Sequence, residues 1–484
     1  MGAFGLLPGV GLGAVGGAAR RKAVGVCCVP DMRRIRPTRL GVALLLVVVL
    51  VVSGLLAARV GAQVPPPPLL LIVSVDGLRP DYVTAADRHG LKIPALRRFL
   101  KEGAFAEGVQ GVIPTTTYPS HTTLLTGVWP ATHGILANTL FEPERPGDRN
   151  WYWYAEDIKV PTLWDAAAKA GWTTASVTWP VSVGARVDWN IPEFWHFGGP
   201  GDGKLMRLVS TPGLLSEMER DLGEYPRGLN VEHDESHARF ATWLLEKKRP
   251  SLLTLHLLAL DHAQHDHGPL TAEVFAVLER LDAILGQLRA TAERLAPGRA
   301  WMAVMSDHGF ARVEHQLSLR SAFRTAGLLK VEGGRVVDWA AMPWNSGGLA
   351  AIMLKDPADD ATRTKVRDLL AKLAADPVNG IDRVLDADAL RAGGGFPAAA
   401  FVVGVKPGWA MASGFTGGVV TKSHGGQHGH LPDVPDLRAS FFLVGPGVPA
   451  GRALGLVDMR DIAPTLARRA GLSLPTADGK ALLP

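Results

Sequence analysis

Along most of the chain, short apolar runs alternate with longer amphipathic segments. Leu69 to Val75 stops at Asp76, Leu252 to Leu260 stops at Asp261, and Ala300 to Met305 stops just before Asp307-His308. Short apolar runs closed by polar residues predict buried strands. Ala272 to Leu295, with apolar residues three and four apart, predicts a helix. The alternation predicts an α/β fold with a central, mostly parallel sheet covered by helices on both faces. In such sheets ligands bind beyond the carboxyl ends of the strands. A single strand-end Asp reads as a helix N-cap. Three of them, with histidines nearby, predict one shared site.

Residues 140 to 250 break this rhythm. Strand patterns are sparse there apart from Thr173 to Thr178, and seven of the thirteen tryptophans fall between Trp151 and Trp195. The segment reads either as a capping, substrate-facing insertion or as ordinary aromatic core. No internal repeat or long low-complexity linker interrupts the rest.

The N-terminal pattern is different again. From Met32 a basic stretch, MRRIRPTRL, leads into GVALLLVVVLVVSGLLAA and then RVGAQVPPPP, the parts of a secretory signal with Val60-Gly61-Ala62 as cleavage site. Uncleaved, the same run is long enough to serve as a membrane anchor. Residues 1–31 read as a disordered leader or an over-called start, 32–62 as signal or anchor, 63–68 as a stiff Pro-rich spacer, and 69–484 as the catalytic domain. The expected location is periplasmic or extracellular, with membrane contact only if the segment stays uncleaved.

Charge and cysteine usage sharpen this picture. The first 62 residues hold eight Lys or Arg and one acid, so the formal charge of +5 becomes 43 basic against 45 acidic residues in the remainder. A near-neutral body has no electrostatic footprint for a nucleic-acid polymer. Cys27 and Cys28 both precede residue 62, and all fifteen histidines follow it. The body therefore has no disulfide framework and no thiol chemistry, and suits nitrogen and oxygen ligation of a metal in an oxidising compartment.

Five segments hold the candidate ligands: Ser74-Val-Asp-Gly77, Pro114-Thr-Thr-Thr-Tyr-Pro-Ser-His121, Asp261-His-Ala-Gln-His265, Ser306-Asp-His-Gly309 and Gly426-Gln-His-Gly429. They offer three carboxylates and three imidazoles beside a hydroxyl, the inventory that a pair of zinc ions about 4 Å apart requires. Asp261 and His265, four apart, project from one face of a helical turn. Asp307 and His308 are adjacent and converge only where the strand has ended, a bend that Gly309 makes easy. His424 and His430 rival His428, and Thr115 and Thr116 rival Thr117. His121 and His133 read as structural.

In this order the segments resemble the type I phosphodiesterases, the nucleotide pyrophosphatase/phosphodiesterase family of the alkaline phosphatase superfamily, from about Leu69 to Ile462-Ala-Pro-Thr-Leu466 and beyond. The resemblance implies an alkaline-phosphatase-like sandwich and two Zn2+. It makes Thr117 the nucleophile, in a Pro-Thr-x-Thr-aromatic-Pro-x-His stretch, and places Asn138, after His133-Gly134-Ile135, on a phosphoryl oxygen. One zinc would be held by Asp261, His265 and His428, the other by Asp76, Asp307 and His308. Coordination lowers the pKa of a hydroxyl, and the amides at the start of the helix after Thr117 favour negative charge. Attack would give a phosphothreonine intermediate that water hydrolyses.

Monoester phosphatases of the superfamily add an arginine clamp and a third metal, and sulfatases a C/S-x-P-x-R motif; none of these is present. A site with Asn138 suits a diester, which carries less charge. Tyr118 and the cluster Trp151, Trp153, Tyr154 are expected to stack a nucleobase. The expected partner is a small-molecule phosphodiester or nucleotide. The alternatives are lipid or glycerol phosphodiesters, phosphonates, or, in another class, a catalytically silent zinc-binding surface protein. That last reading gives an intact Thr117 nothing to do.

Overall fold

The structure is a computed structural model that describes residues 68–144, 150–194, 202–226 and 228–484. The leader, the signal or anchor segment, all of the spacer but Pro68, and Trp195 lie outside the described residues. No described helix is long and apolar enough to cross a membrane.

The central sheet has eight strands, in the order Arg452–Ala453, Ala104–Phe105, Phe441–Val444, Ala300–Met305, Leu69–Val75, Leu252–Leu257, Thr174–Val177, Trp189–Ile191. The five from Ala300–Met305 to Trp189–Ile191 are parallel, and Phe441–Val444 runs against both of its neighbours. Alternation along the strand decides which face each residue covers. Leu69, Leu71, Val73 and Val75 join one core with the helices Pro94–Glu102, Val231–Lys247 and Ala272–Leu295. Leu70 and Ile72 join another with Thr117–Thr126, Leu163–Lys169 and Ile462–Ala470. Both faces are thus covered, which is why these strands read as continuous apolar runs rather than alternating ones.

The segment 140–250 contributes to this scaffold. Thr174–Val177 and Trp189–Ile191 extend the sheet, and Val231–Lys247 covers it. A second assembly was not foreseen from the sequence. Ala341–Ser346, Leu349–Leu354, Phe401–Val405 and Ile381–Asp386 form an antiparallel sheet with its own core. Its hairpin at Gly347 presses against the chain at residue 428: Gly348 N–H donates to His428 O at 2.8 Å, and a Cβ on Gly347 would lie 2.1 Å from that oxygen.

Candidate metal centre

Three neighbouring parallel strands deliver the acids. Asp76 directly follows Leu69–Val75, Asp307 and His308 follow Ala300–Met305, and Asp261 lies on the helix Ala259–His267 that follows Leu252–Leu257. That helix is fixed by Asp234, whose buried carboxylate accepts Leu258 N–H at 3.1 Å and Ala259 N–H at 2.8 Å. The fourth approach is made by Gly426–Gln427, which pairs with Ala311–Leu317 and so carries His428 back beside His308; their rings stack at 3.7 Å.

His308 Nε2 lies 3.1 Å from Asp307 Oδ2 and 3.4 Å from Asp76 Oδ1. Asp261 stands 3.4 Å from His265 Nε2 and 3.7 Å from His428 Nε2. Among the described residues, two groups meet the spacing of a metal site, Asp76-Asp307-His308 and Asp261-His308-His428, so His308 faces both. His265 joins the second group through its contact with Asp261. Of the three histidines from 424 to 430, His428 is the one that faces Asp261. His430 is buried with Nε2 donating to Trp409 O at 2.9 Å.

The polar atoms left over test whether these residues fit a metal. Nδ1 of His308, His265 and His428 lies 3.0, 3.1 and 3.2 Å from the carbonyls of Gly309, Gly426 and Thr115. Each Nδ1 must then carry the hydrogen, which leaves each Nε2 lone pair for a cation. Asp307 Oδ1 accepts Gly77 N–H at 3.1 Å, while Oδ2 is buried without a partner. Asp76 Oδ1, Asp261 Oδ1 and His308 Nε2 are likewise buried and unpartnered. Unsatisfied acceptors converging in one interior cleft are costly unless a cation satisfies them. These side chains fit the binding of divalent metal.

Electrostatics agree. Burial, reinforced by Asp307 and Asp261, pushes the Asp76 carboxyl well above the usual range. Burial drives the His428 imidazole well below its ordinary value, helped by His308 and His265, so it stays neutral and can donate a lone pair.

Gly309 acts differently from the expected bend. It is absent from the positive-φ glycines, and a Cβ there would lie 2.2 Å from Asp436 O. Close approach, not backbone freedom, demands glycine. Gly309→Ala is expected to push His308 from its place, weaken metal binding and cost about 1–3 kcal/mol by overpacking. Chelator competition and chemical denaturation measure the two effects.

Thr117 opens the buried helix Thr117–Thr126. Thr115 Oγ1 donates to His430 O at 2.8 Å and is committed to the scaffold. Thr116 is the N-cap, with no cap bond from its side chain. The start of this helix is tied to the acids through His121, whose Nδ1 donates to Thr117 O at 2.8 Å and lies 3.7 Å from Asp307 Oδ2. Nε2 of the same ring accepts from Ser74 Oγ at 2.8 Å. Burial, with His256 nearby, lowers His121 to about 3, so it is a neutral strut. His133 is also buried, between Thr123 Oγ1 and Ile135 N–H. Asn138 Oδ1 accepts Tyr118 N–H at 2.9 Å, leaving the two amide hydrogens on Nδ2 for other acceptors.

Tyr118 has no open face in this arrangement. Its ring is fully buried against Trp151 and Trp153, with centroids at 5.1 and 6.0 Å, and its hydroxyl donates to Glu193 at 2.8 Å. Of that cluster, half-buried Trp151 and exposed Tyr154 reach the surface. Sequence reasoning missed Glu193 and His256. His256 is the ionisable residue inside the otherwise apolar LLTLHL strand, a legible anomaly; Glu193 belongs to no motif. Burial alone would discharge His256, but hydrogen bonds to Asp76 and Glu193 outweigh it and hold the ring well above its ordinary pKa.

The chain is similar to known proteins in sequence and in fold. A family model described as type I phosphodiesterase/nucleotide pyrophosphatase matches residues 70–431. Ectonucleotide pyrophosphatase/phosphodiesterase family member 1 of Homo sapiens is 26% identical over 249 residues, 49% of this chain and 23% of that protein. Bis(5'-adenosyl)-triphosphatase ENPP4 of Bos taurus is 26% identical over 253 residues, 50% of this chain and 47% of that protein. The chain thus spans less than half the length of these curated relatives. Murine ectonucleotide pyrophosphatase/phosphodiesterase 5, solved as an inactive form in complex with AMP, superposes with a TM-score of 0.61 at 21% identity, covering 85% of this chain and 97% of that one. That likeness establishes the alkaline-phosphatase-like fold. Because the family model spans most of the folded body and all five segments of the centre, the chain belongs to the type I phosphodiesterase/nucleotide pyrophosphatase family.

Proposed function

We propose that the chain is a two-zinc phosphodiesterase or pyrophosphatase that cleaves nucleotide-type phosphodiester or phosphoanhydride bonds with Thr117 as nucleophile. The observation that carries this reading is the set of three Nε2 lone pairs and three carboxylates, with buried oxygens left unpaired, beside the amino end of the Thr117 helix. Asp261, His265 and His428 would hold one metal, and Asp76, Asp307 and His308 the other. A bound metal pair supplies Lewis-acid charge to the phosphoryl oxygens and lowers the pKa of a coordinated hydroxyl.

The chain's own residues do the rest. Thr117 Oγ attacks phosphorus and its proton passes to solvent; the bond to the leaving oxygen breaks, that oxygen departing with the bonding pair, and the phosphoryl group is left esterified to Thr117. Water then cleaves that ester and restores the hydroxyl. With Tyr118 N–H held by Asn138 and Ser120 N–H by Thr116 O, the Thr117 N–H and Asn138 Nδ2 are the donors offered to the non-bridging oxygens, where negative charge develops. No arginine is needed, which suits a diester. Trp151, whose ring packs against Tyr118 beside Thr117, would offer an attached base an aromatic surface. The basic and apolar pattern at residues 32–62 supports export to the periplasm or exterior.

Bis-p-nitrophenyl phosphate and p-nitrophenyl phosphate, assayed in parallel with zinc-loaded protein, test the substrate class. Faster turnover of the diester is expected. A preference for the monoester would place the chain with phosphatases.

A further inference from the structure

We propose that Glu193 and His256 form a positioning dyad, which holds Asp76 as a one-oxygen metal ligand and ties that ligand to the nucleophile's helix through Tyr118. The inference rests on the metal-site reading above.

The connection is continuous and buried throughout. Asp76 Oδ2 accepts from His256 Nε2 at 3.0 Å, His256 Nδ1 meets Glu193 Oε2 at 2.9 Å, and Glu193 Oε1 accepts from the Tyr118 hydroxyl at 2.8 Å. Asp76, Glu193, His256 and Tyr118 are each less than 5% exposed. His256 stands opposite Ser74 in the parallel register, two residues before Asp76 in the neighbouring strand. Its ring is also gripped by Thr178, whose carbonyl lies 3.1 Å from Nδ1, while Thr178 Oγ1 donates to His256 O at 2.6 Å. Thr178 holds φ at 55°, a left-handed conformation unusual for a β-branched residue. Glu193 arrives from the far edge of the sheet, just after Trp189–Ile191.

Two consequences follow from the atoms engaged. His256 occupies Oδ2 of Asp76, so Oδ1, which has no partner and faces His308, is the oxygen left to a metal. A carboxylate fixed by an outer donor keeps its orientation and holds its metal more firmly. At the other end, Tyr118 directly follows Thr117, and its own N–H is held by Asn138. A shift of Glu193 would therefore be felt both at a ligand and at the first turn of the nucleophile's helix.

A buried ion pair can also be a structural relic, replaceable by apolar residues without loss. Metal affinity separates the two roles. Zinc binding to the full chain is measured by competition with a chromophoric chelator, for wild type, His256→Ala and the near-isosteric Glu193→Gln, with thermal melts of the metal-free proteins alongside. The expected result is that His256→Ala weakens one of two sites by about 10–100-fold and leaves the other unchanged. Glu193→Gln is expected to weaken that same site less, and Tyr118→Phe to lower kcat without changing KM or metal affinity. Folded His256→Ala and Glu193→Gln proteins that bind both zinc ions like wild type would overturn the dyad while leaving the two-metal reading intact. Wild-type protein that binds no zinc would overturn both.

Discussion

Thr117→Ala is expected to lower diester turnover by about four orders of magnitude or more, the scale seen when a nucleophile that works as a unit with its partners is removed. Metal content is expected to stay at the wild-type level, because Thr117 is not among the six proposed ligands and its backbone carbonyl, which holds His121, is unchanged. The helix should form normally: Thr117 is its first residue, and alanine is well tolerated there. Thr115→Ala breaks a bond to His430 O instead and is expected to affect stability more than chemistry. Steady-state kinetics with bis-p-nitrophenyl phosphate, together with metal analysis of the same preparations, check the pair. Equal losses of activity and metal in Thr117→Ala would mean that the side chain serves the site's structure.

Removing the metals is expected to abolish turnover and to lower stability as well. With Asp76, Asp261 and Asp307 converging, the cleft concentrates like charge in a region where water screens poorly, and burial raises Asp76 further. Cations that bind the folded state alone stabilise it in proportion to the logarithm of their excess over Kd. At a thousandfold excess this is about 4 kcal/mol for each site. Chelation should therefore lower the melting temperature markedly, and zinc should restore both the melt and the activity. Recovery should weaken as pH falls, since protons compete for the same carboxylates and imidazoles. Calorimetry of chelated and zinc-loaded protein checks this; identical melts would show that the six side chains hold no metal.

How much of this was legible in the sequence depended on the physics of each element. The strands around Asp76, Asp261 and Asp307 were readable because burial on both faces makes a parallel strand an unbroken apolar run. The pairing of Asp261 with His265 was readable because helical periodicity places residues four apart on one face. The antiparallel sheet of residues 341–405 was not. Its strands are short, helices separate all but the first two, and nothing local announces that its Gly347 hairpin braces His428. The role of Gly309 was misread for a related reason: the need for glycine comes from Asp436, more than a hundred residues away. Glu193 was invisible, since only the folded sheet brings its edge strand to His256. Tyr118 fits the motif, but no local pattern announces that Trp151 and Trp153 cover its ring.

The central claim is that Thr117 forms a covalent ester during turnover, and the stereochemistry at phosphorus tests it most directly. A phosphodiester made chiral at phosphorus by sulfur and oxygen isotopes is hydrolysed by the zinc-loaded protein, and the configuration of the product is read by phosphorus NMR. Two successive in-line displacements, first by Thr117 and then by water, predict net retention. Net inversion would mean that water attacks the substrate directly, and would contradict Thr117 as the nucleophile.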